Sequence, residues 1–100
     1  EKVCRAIQSG ECEKGILICG TGIGMSICAN KFKGIRAACC GDHFSAEFTR
    51  KHNNSNVLCM GARTIGAGVA LQLADIFIST ECEGGRHQNR VDMITAFEEE

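Results

Sequence analysis

The chain has 100 residues, with 11 basic and 12 acidic side chains and a net charge of −1. This length fits one domain, so we expect residues 1–100 to fold as a single domain. A near-neutral charge with both signs interspersed gives no basic field for nucleic acid, and no apolar run approaches the roughly 20 residues that span a bilayer. We therefore expect a cytoplasmic protein that binds neither nucleic acid nor membrane.

Short apolar runs alternate with helical patterns along the chain. A first helix is predicted to end near Ser9-Gly10, and Thr64 is a predicted helix N-cap. Strands are predicted at 15–20, 35–40 and 56–61, and helices at 24–32, 43–53, 64–78 and 86–98. Apolar runs bounded by turn residues are typical of parallel strands covered on both faces. The βαβαβ order predicts an α/β fold with an open parallel sheet, in which ligands bind beyond the carboxyl ends of the strands.

Eight cysteines would suit a disulfide framework in a secreted domain, but several of them lie within apolar, strand-like runs. Buried, reduced thiols in a cytosolic protein fit this distribution better. The chain has no Cys-x-x-Cys pair, and its three histidines are scattered along the sequence. We therefore expect no structural zinc or iron–sulfur site.

The most informative segment is the glycine-rich run that follows the first predicted strand, from Cys19 to Gly24. Glycines let the main chain approach a ligand closely, and a helix opening near Gly24 presents unpaired N–H groups to an anion. Such donors lower the pKa of a thiol from its ordinary value of about 8.5, which would make Cys19 a base or a nucleophile. The alternative is that Cys19 is an inert small hydrophobic residue at the end of a buried strand.

A nucleotide site is a second interpretation of the same loop. The spacing from Gly20 to Gly22 begins the dinucleotide fingerprint, but Met25 occupies the place of its third glycine. Asp42 stands at roughly the spacing of a ribose-binding acid, which keeps this alternative open. No Lys-Ser or Lys-Thr pair follows the glycines, so a Walker loop is excluded.

Two polar segments complete the set of candidates. Arg86 and Arg90 project from one face of a helix that starts near Gly85, and paired guanidinium groups suit a phosphate dianion, although a solvated basic face is the alternative. His52 precedes a run rich in asparagine. It is either an acid–base group that titrates near neutrality or part of a helix-terminating turn.

Taken together and in order, five segments closely resemble the ribose-5-phosphate isomerase B family, relatives of galactose-6-phosphate isomerase. The resemblance covers nearly all 100 residues. The segments are Cys19-Gly-Thr-Gly-Ile-Gly-Met-Ser26 with Ala29-Asn30-Lys31, Ser45-Ala46, Arg50-Lys-His-Asn-Asn-Ser-Asn-Val-Leu58, Gly61-Ala-Arg63 and Glu83-Gly-Gly-Arg-His-Gln-Asn-Arg90.

The resemblance implies an open three-layer α/β/α Rossmann-like fold and an aldose–ketose isomerase. Such an enzyme interconverts ribose 5-phosphate and ribulose 5-phosphate through an enediolate, without a metal or organic cofactor. Cys19 matches the family's base, and Met25 stands where one branch of the family has a glutamate instead. Thr21 would handle protons at the sugar oxygens.

The remaining site residues are also implied by the resemblance. The N–H groups of Gly20, Gly22, Ile23 and Gly24 would hold the enediolate. His52 would assist ring opening and Asn53 would bind sugar hydroxyls. The phosphate clamp would consist of Arg63, Arg86 and Arg90.

The resemblance further implies a homodimer or homotetramer with shared active sites, because His52, Asn53 and Arg63 match residues that reach a neighbouring subunit's site. The family begins with a strand carrying an Asp-His pair, which has no counterpart here. We therefore expect an N-terminally truncated isomerase domain with an exposed sheet edge and little activity of its own. The alternatives are a galactose- or allose-6-phosphate isomerase subunit, and a non-catalytic phosphosugar-binding module.

Overall fold

The computed structural model describes every residue from Glu1 to Glu100. None of its helices is long and apolar enough to cross a bilayer. The helices are α1 (Lys2–Gln8), α2 (Ile23–Ala29), α3 (His43–Asn53), α4 (Ala67–Ser79) and α5 (Arg86–Ala96), followed by a 3-10 turn at Phe97–Glu99, and the strands are β1 (Gly15–Cys19), β2 (Ala37–Cys39) and β3 (Val57–Gly61).

The three strands form one parallel sheet in the order β1-β3-β2. Cys19 at the end of β1 lies opposite Gly61 at the end of β3, and Cys39 at the end of β2 lies opposite Cys59. The carboxyl ends of all three strands therefore share one edge of the sheet. The predicted open parallel α/β fold is confirmed.

The core consists of two layers of side chains, one on each face of β3, which is buried along its whole length. Successive side chains of a strand point to opposite faces. Leu58 and Met60 pack with Phe77 of α4 on one face, whereas Val57 and Cys59 pack toward α1 and α2 on the other. Burying a leucine or phenylalanine side chain contributes about 1.5–3 kcal/mol. This two-sided burial fixes β3, and with it the edge where the candidate site lies.

The predicted element boundaries differ from the structure by up to three residues; the strand predicted at 35–40, for example, spans Ala37–Cys39, and two helices show the largest shifts. The helix predicted at 24–32 spans Ile23–Ala29, because the chain turns after Asn30 to enter β2. Thr64 is not a helix N-cap, since α4 begins after Gly66. The Thr64 hydroxyl instead donates to the Gly61 carbonyl within the turn that follows β3.

Candidate active site

Cys19 ends β1 and lies half-buried beneath the glycine loop. The backbone N–H of Gly22 donates to its sulfur at 3.2 Å. The pKa of the Cys19 thiol is lowered from its ordinary value, chiefly by the backbone N–H of Met25 and further by those of Gly22, Thr21 and Gly20, while partial burial acts in the opposite direction. The Cys19 sulfur therefore lies in a cradle of main-chain donors, as the sequence predicted.

The loop can take this shape only because residue 22 is a glycine. It adopts φ 83°, which L side chains rarely adopt, and serves as the N-cap of α2. A Cβ at this position would lie 2.9 Å from the Met60 carbonyl carbon and 3.0 Å from the Cys39 sulfur. The loop is thus pressed against the ends of β3 and β2, which aims its N–H groups at Cys19.

The turn after β3 holds the loop from the other side. Ala62 donates its N–H to the Cys19 carbonyl at 2.7 Å, and Arg63 donates its N–H to the Gly20 carbonyl at 3.0 Å. The stem of Arg63 lies 3.7 Å from the place of a Cβ on Gly20. Arg63, which the resemblance assigns to a neighbouring subunit's site, therefore lies against the cradle of its own chain.

The loop leaves open space in front of the cradle. Thr21, Ile23 and Gly24 are exposed, and a Cβ on Gly24 would meet nothing within 4 Å. The Thr21 hydroxyl oxygen accepts the Ile23 N–H at 3.2 Å, so its own hydrogen is available to a bound oxygen. The cradle can therefore hold an anionic oxygen while a hydroxyl and a thiol act beside it.

A second group of candidates lines a cavity of about 440 Å³ that runs along α3 and α5. His52, Asn53 and Arg90 contribute to its wall, and His87 lies among them. The His52 and His87 rings stack with centroids 4.0 Å apart and planes inclined by 8°. Arg86 projects from the same helix as Arg90, is exposed, and does not line this cavity.

Glu83 completes this second group. One of its carboxylate oxygens lies 3.6 Å from Nε2 of His52 and 3.5 Å from Nε2 of His87. The pKa of His87 is lowered, first by burial and then by the neighbouring His52 imidazole and the charge of Arg86. No role was predicted for Glu83 or His87 from the sequence. The one local signal was the double glycine at 84–85, where both residues adopt positive φ and form a turn that places Glu83 beside α5.

Neither Cys19 nor the glycine loop lines the cavity that contains His52. Helix α3 starts at His43, just past the carboxyl end of β2, and at about 1.5 Å per residue His52 lies about 13 Å further along. Its far end lies at the opposite edge of the sheet, where the Arg36 side chain, just before β2, donates to the Asn54 carbonyl at 2.9 Å. One chain therefore carries two separate groups of site residues, one around Cys19 and one around His52.

Asp42 has a structural role that sequence reasoning did not assign. It is the N-cap of α3, where its carboxylate accepts the Ser45 N–H at 2.7 Å and the Ser45 hydroxyl at 2.9 Å. These hydrogen bonds hold the pKa of Asp42 below its ordinary range. Because the carboxylate is already engaged, the nucleotide interpretation loses the acid on which it depended.

The fold and the cradle define an α/β protein with a cysteine surrounded by main-chain N–H donors at the carboxyl edge of a parallel sheet. Residues 1–94 match the Ribose/Galactose Isomerase family. The chain belongs to this family, which confirms the prediction made from its motifs.

Known relatives are similar in sequence to this protein over nearly the whole chain. The putative sugar phosphate isomerase YwlF of Bacillus subtilis is 57% identical over 97% of this chain, and ribose-5-phosphate isomerase B of Escherichia coli is 50% identical over 98%. The structure of Leishmania infantum type B ribose 5-phosphate isomerase superposes with a TM-score of 0.94 at 56% identity, over 98% of this chain and 65% of the other. The chain spans 65% and 66% of the length of the two bacterial relatives.

Proposed function

We propose that this chain carries the catalytic cradle of an aldose–ketose isomerase that interconverts ribose 5-phosphate and ribulose 5-phosphate through an enediolate. The observation that carries the proposal is the Cys19 thiol, whose pKa is lowered by a ring of backbone N–H groups. A phosphosugar-binding module needs no activated thiol. The names of the family and of the relatives support the same class of substrate.

The chemistry follows from the donors around the sulfur. The Cys19 thiolate removes the proton from C2 of the open-chain aldose, and the electron pair left behind forms the C1–C2 double bond of an enediolate. Thr21 donates a proton to the oxygen on C1 and takes back the proton of the C2 hydroxyl, so that the C2 oxygen becomes the carbonyl while the Cys19 thiol returns its proton to C1. Nothing is oxidised or reduced overall. Main-chain donors aimed at the developing oxyanion each contribute about 3–4 kcal/mol in comparable sites.

Ring opening and substrate binding fall to the group around His52. The His52 imidazole transfers the proton between the ring oxygen and the C1 hydroxyl, and Asn53 binds sugar hydroxyls. The phosphate is held by Arg63, Arg86 and Arg90, which anchor the substrate away from the reacting carbons.

A complete site then requires two copies of the chain. The cavity that His52 lines reaches Cys40, just past the carboxyl end of β2, but neither the Cys19 sulfur nor the glycine loop lines it. A homodimer in which each subunit supplies its His52 group to the partner's cradle joins both halves. Arg63 lies against the cradle of its own chain, so we place it with Cys19 rather than with His52.

The decisive experiment compares isomerisation by wild type and Cys19→Ser, in the longest available form of the protein and without added metal. Loss of the base should reduce turnover on the order of 10²–10⁴-fold while binding of a sugar-alcohol phosphate persists. Cys28→Ser is the matched control, because Cys28 is an exposed cysteine on the adjacent α2. Unchanged turnover in Cys19→Ser would remove Cys19 from the mechanism.

The identity of the sugar is a separate question. D-erythrulose-4-phosphate isomerase of Pectobacterium atrosepticum is 46% identical over 96% of this chain, so a four-carbon sugar phosphate is a second candidate substrate. A panel of tetrose, pentose and hexose phosphates, compared by kcat/KM, identifies the preferred sugar. A preference for galactose or allose 6-phosphate would replace the ribose assignment and leave the isomerase mechanism intact.

A further inference from the structure

His52, Glu83 and His87 bring three metal-ligating atoms together outside the Cys19 cradle. One imidazole nitrogen from each histidine and one carboxylate oxygen of Glu83 all lie within 4.8 Å of one another. A tetrahedral zinc site with bonds of about 2.0–2.2 Å places neighbouring ligand atoms about 3.3 Å apart. The carboxylate oxygen is already 3.6 and 3.5 Å from the two nitrogens, close to that spacing.

We propose that His52, Glu83 and His87 form a binding site for a divalent transition-metal ion of the Zn²⁺ or Co²⁺ type. Two imidazoles and one carboxylate are ligands that suit such ions, whereas Mg²⁺ and Ca²⁺ prefer oxygen alone. Three protein ligands leave one coordination position open toward the cavity. The site is therefore suited to exchangeable binding, unlike the four-ligand structural zinc site that the scattered histidines argued against.

Small side-chain movements complete the geometry. The His52 and His87 rings lie stacked, so their lone pairs run in parallel planes, and both rings must turn for their Nε2 atoms to converge on one ion. The His52 side chain is 39% exposed and is packed edge-on against Phe48, whereas that of His87 is 12% exposed and more confined. Arg86 and Arg90 place positive charge nearby, so the affinity should be moderate.

Metal binding would compete with the role proposed for His52. An ion held by its Nε2 atom occupies the lone pair that ring opening uses, in the cavity that also contains Asn53 and Arg90. This inhibitory consequence rests on the proposed function. Metal binding itself does not, because it depends only on the three side chains.

The test is a titration of the full chain with Co²⁺ at pH 7.5, read by absorbance and repeated with Zn²⁺ by calorimetry. The eight free cysteines are competing ligands, but cobalt–thiolate bonds give an intense near-ultraviolet charge-transfer band that imidazole and carboxylate ligands do not. We expect one ion per chain without that band. A thiolate band at the first equivalent, or no binding, would overturn the proposal.

The ligand variants make the test specific. Glu83→Gln and His87→Gln should each weaken binding by more than the roughly 10–100-fold that outer-sphere changes cost at metal sites. His43→Gln is the matched control, because His43 is an exposed histidine that is paired with Gln72 and lies outside the cluster. Glu83 is exposed, so its variant keeps the fold and decides the outcome even if His87→Gln is unstable. Equal affinity in Glu83→Gln and wild type would overturn the assignment, whatever the result of the isomerase assay.

Discussion

Gly22 donates its backbone N–H to the sulfur of Cys19 at 3.2 Å, and the same glycine has no space for a side chain. The absence of a side chain at Gly22 therefore serves two purposes: it lets the loop pack against β3, and it places an N–H group where it lowers the pKa of the Cys19 thiol. A methyl group at Gly22 would push the loop off Met60 and move the N–H away from the sulfur.

Gly22→Ala should therefore lower the free energy of unfolding by about 1–3 kcal/mol, since alanine is strained at φ 83° and its Cβ would lie 2.9 Å from backbone. Urea denaturation measures the loss. Gly24→Ala is the control, because its Cβ meets nothing and replacing a helical glycine stabilises by roughly 0.5–1 kcal/mol. Equal stabilities of the two variants would contradict the packing argument.

Alkylation should reveal the lowered pKa of Cys19 without any substrate. Because only the thiolate reacts, the pH of half-maximal iodoacetamide labelling at Cys19 should lie below the ordinary value of about 8.5. Peptide mass spectrometry identifies the labelled residue. The same thiol in the urea-unfolded chain is the control and should return to the ordinary value. A midpoint unchanged by unfolding would show that the cradle does not act on the sulfur.

Cys40 should make the fold sensitive to alkaline pH. Burial, with smaller contributions from Asp42 and Cys39, raises its pKa to about 11, well above an unfolded thiol. A group whose folded pKa is raised stabilises the fold fully below its unfolded pKa and loses that contribution as pH rises toward the folded one. Between pH 9 and 11 we expect a loss on the order of 1–3 kcal/mol, measured by urea denaturation. The loss should be smaller in Cys40→Ala, and an identical pH profile would argue against this assignment.

Local patterns in the sequence predicted most of the sheet and the cradle. The strand at 56–61, the start of α5 at Arg86 and the donors around Cys19 all depend on residues close together in the chain, so their periodicity and turn chemistry were sufficient. Thr64 was wrong as an N-cap because a turn closed on the Gly61 carbonyl uses its hydroxyl instead. The stack of His52 on His87 depends on how α5 packs against α3, which no local pattern specifies.

Arg90 should contribute more to phosphate binding than its charge alone suggests, because it lines the cavity that contains His52. Removing a hydrogen bond to a charged group costs about 1.5–3 kcal/mol, so Arg90→Ala should raise KM roughly 10–100-fold with a smaller effect on kcat. Arg5→Ala is the control, since Arg5 is exposed on α1. A fall in kcat with KM unchanged would move Arg90 from the phosphate clamp to the chemical step.

Subunit complementation tests whether the active site is shared. Cys19→Ser removes the proposed base and His52→Asn removes the proposed ring-opening group. Each variant alone should therefore have little activity when the substrate is the cyclic sugar phosphate, which must open before it reacts. When the two are unfolded together and refolded as a mixture, half of the dimers are mixed, and each mixed dimer holds one site with both wild-type residues. We expect about a quarter of wild-type activity to return. The control is a mixture refolded separately and combined without exchange, which should stay inactive. If both residues served a site within one chain, no mixed dimer would contain an intact site, and the refolded mixture would be as inactive as its components.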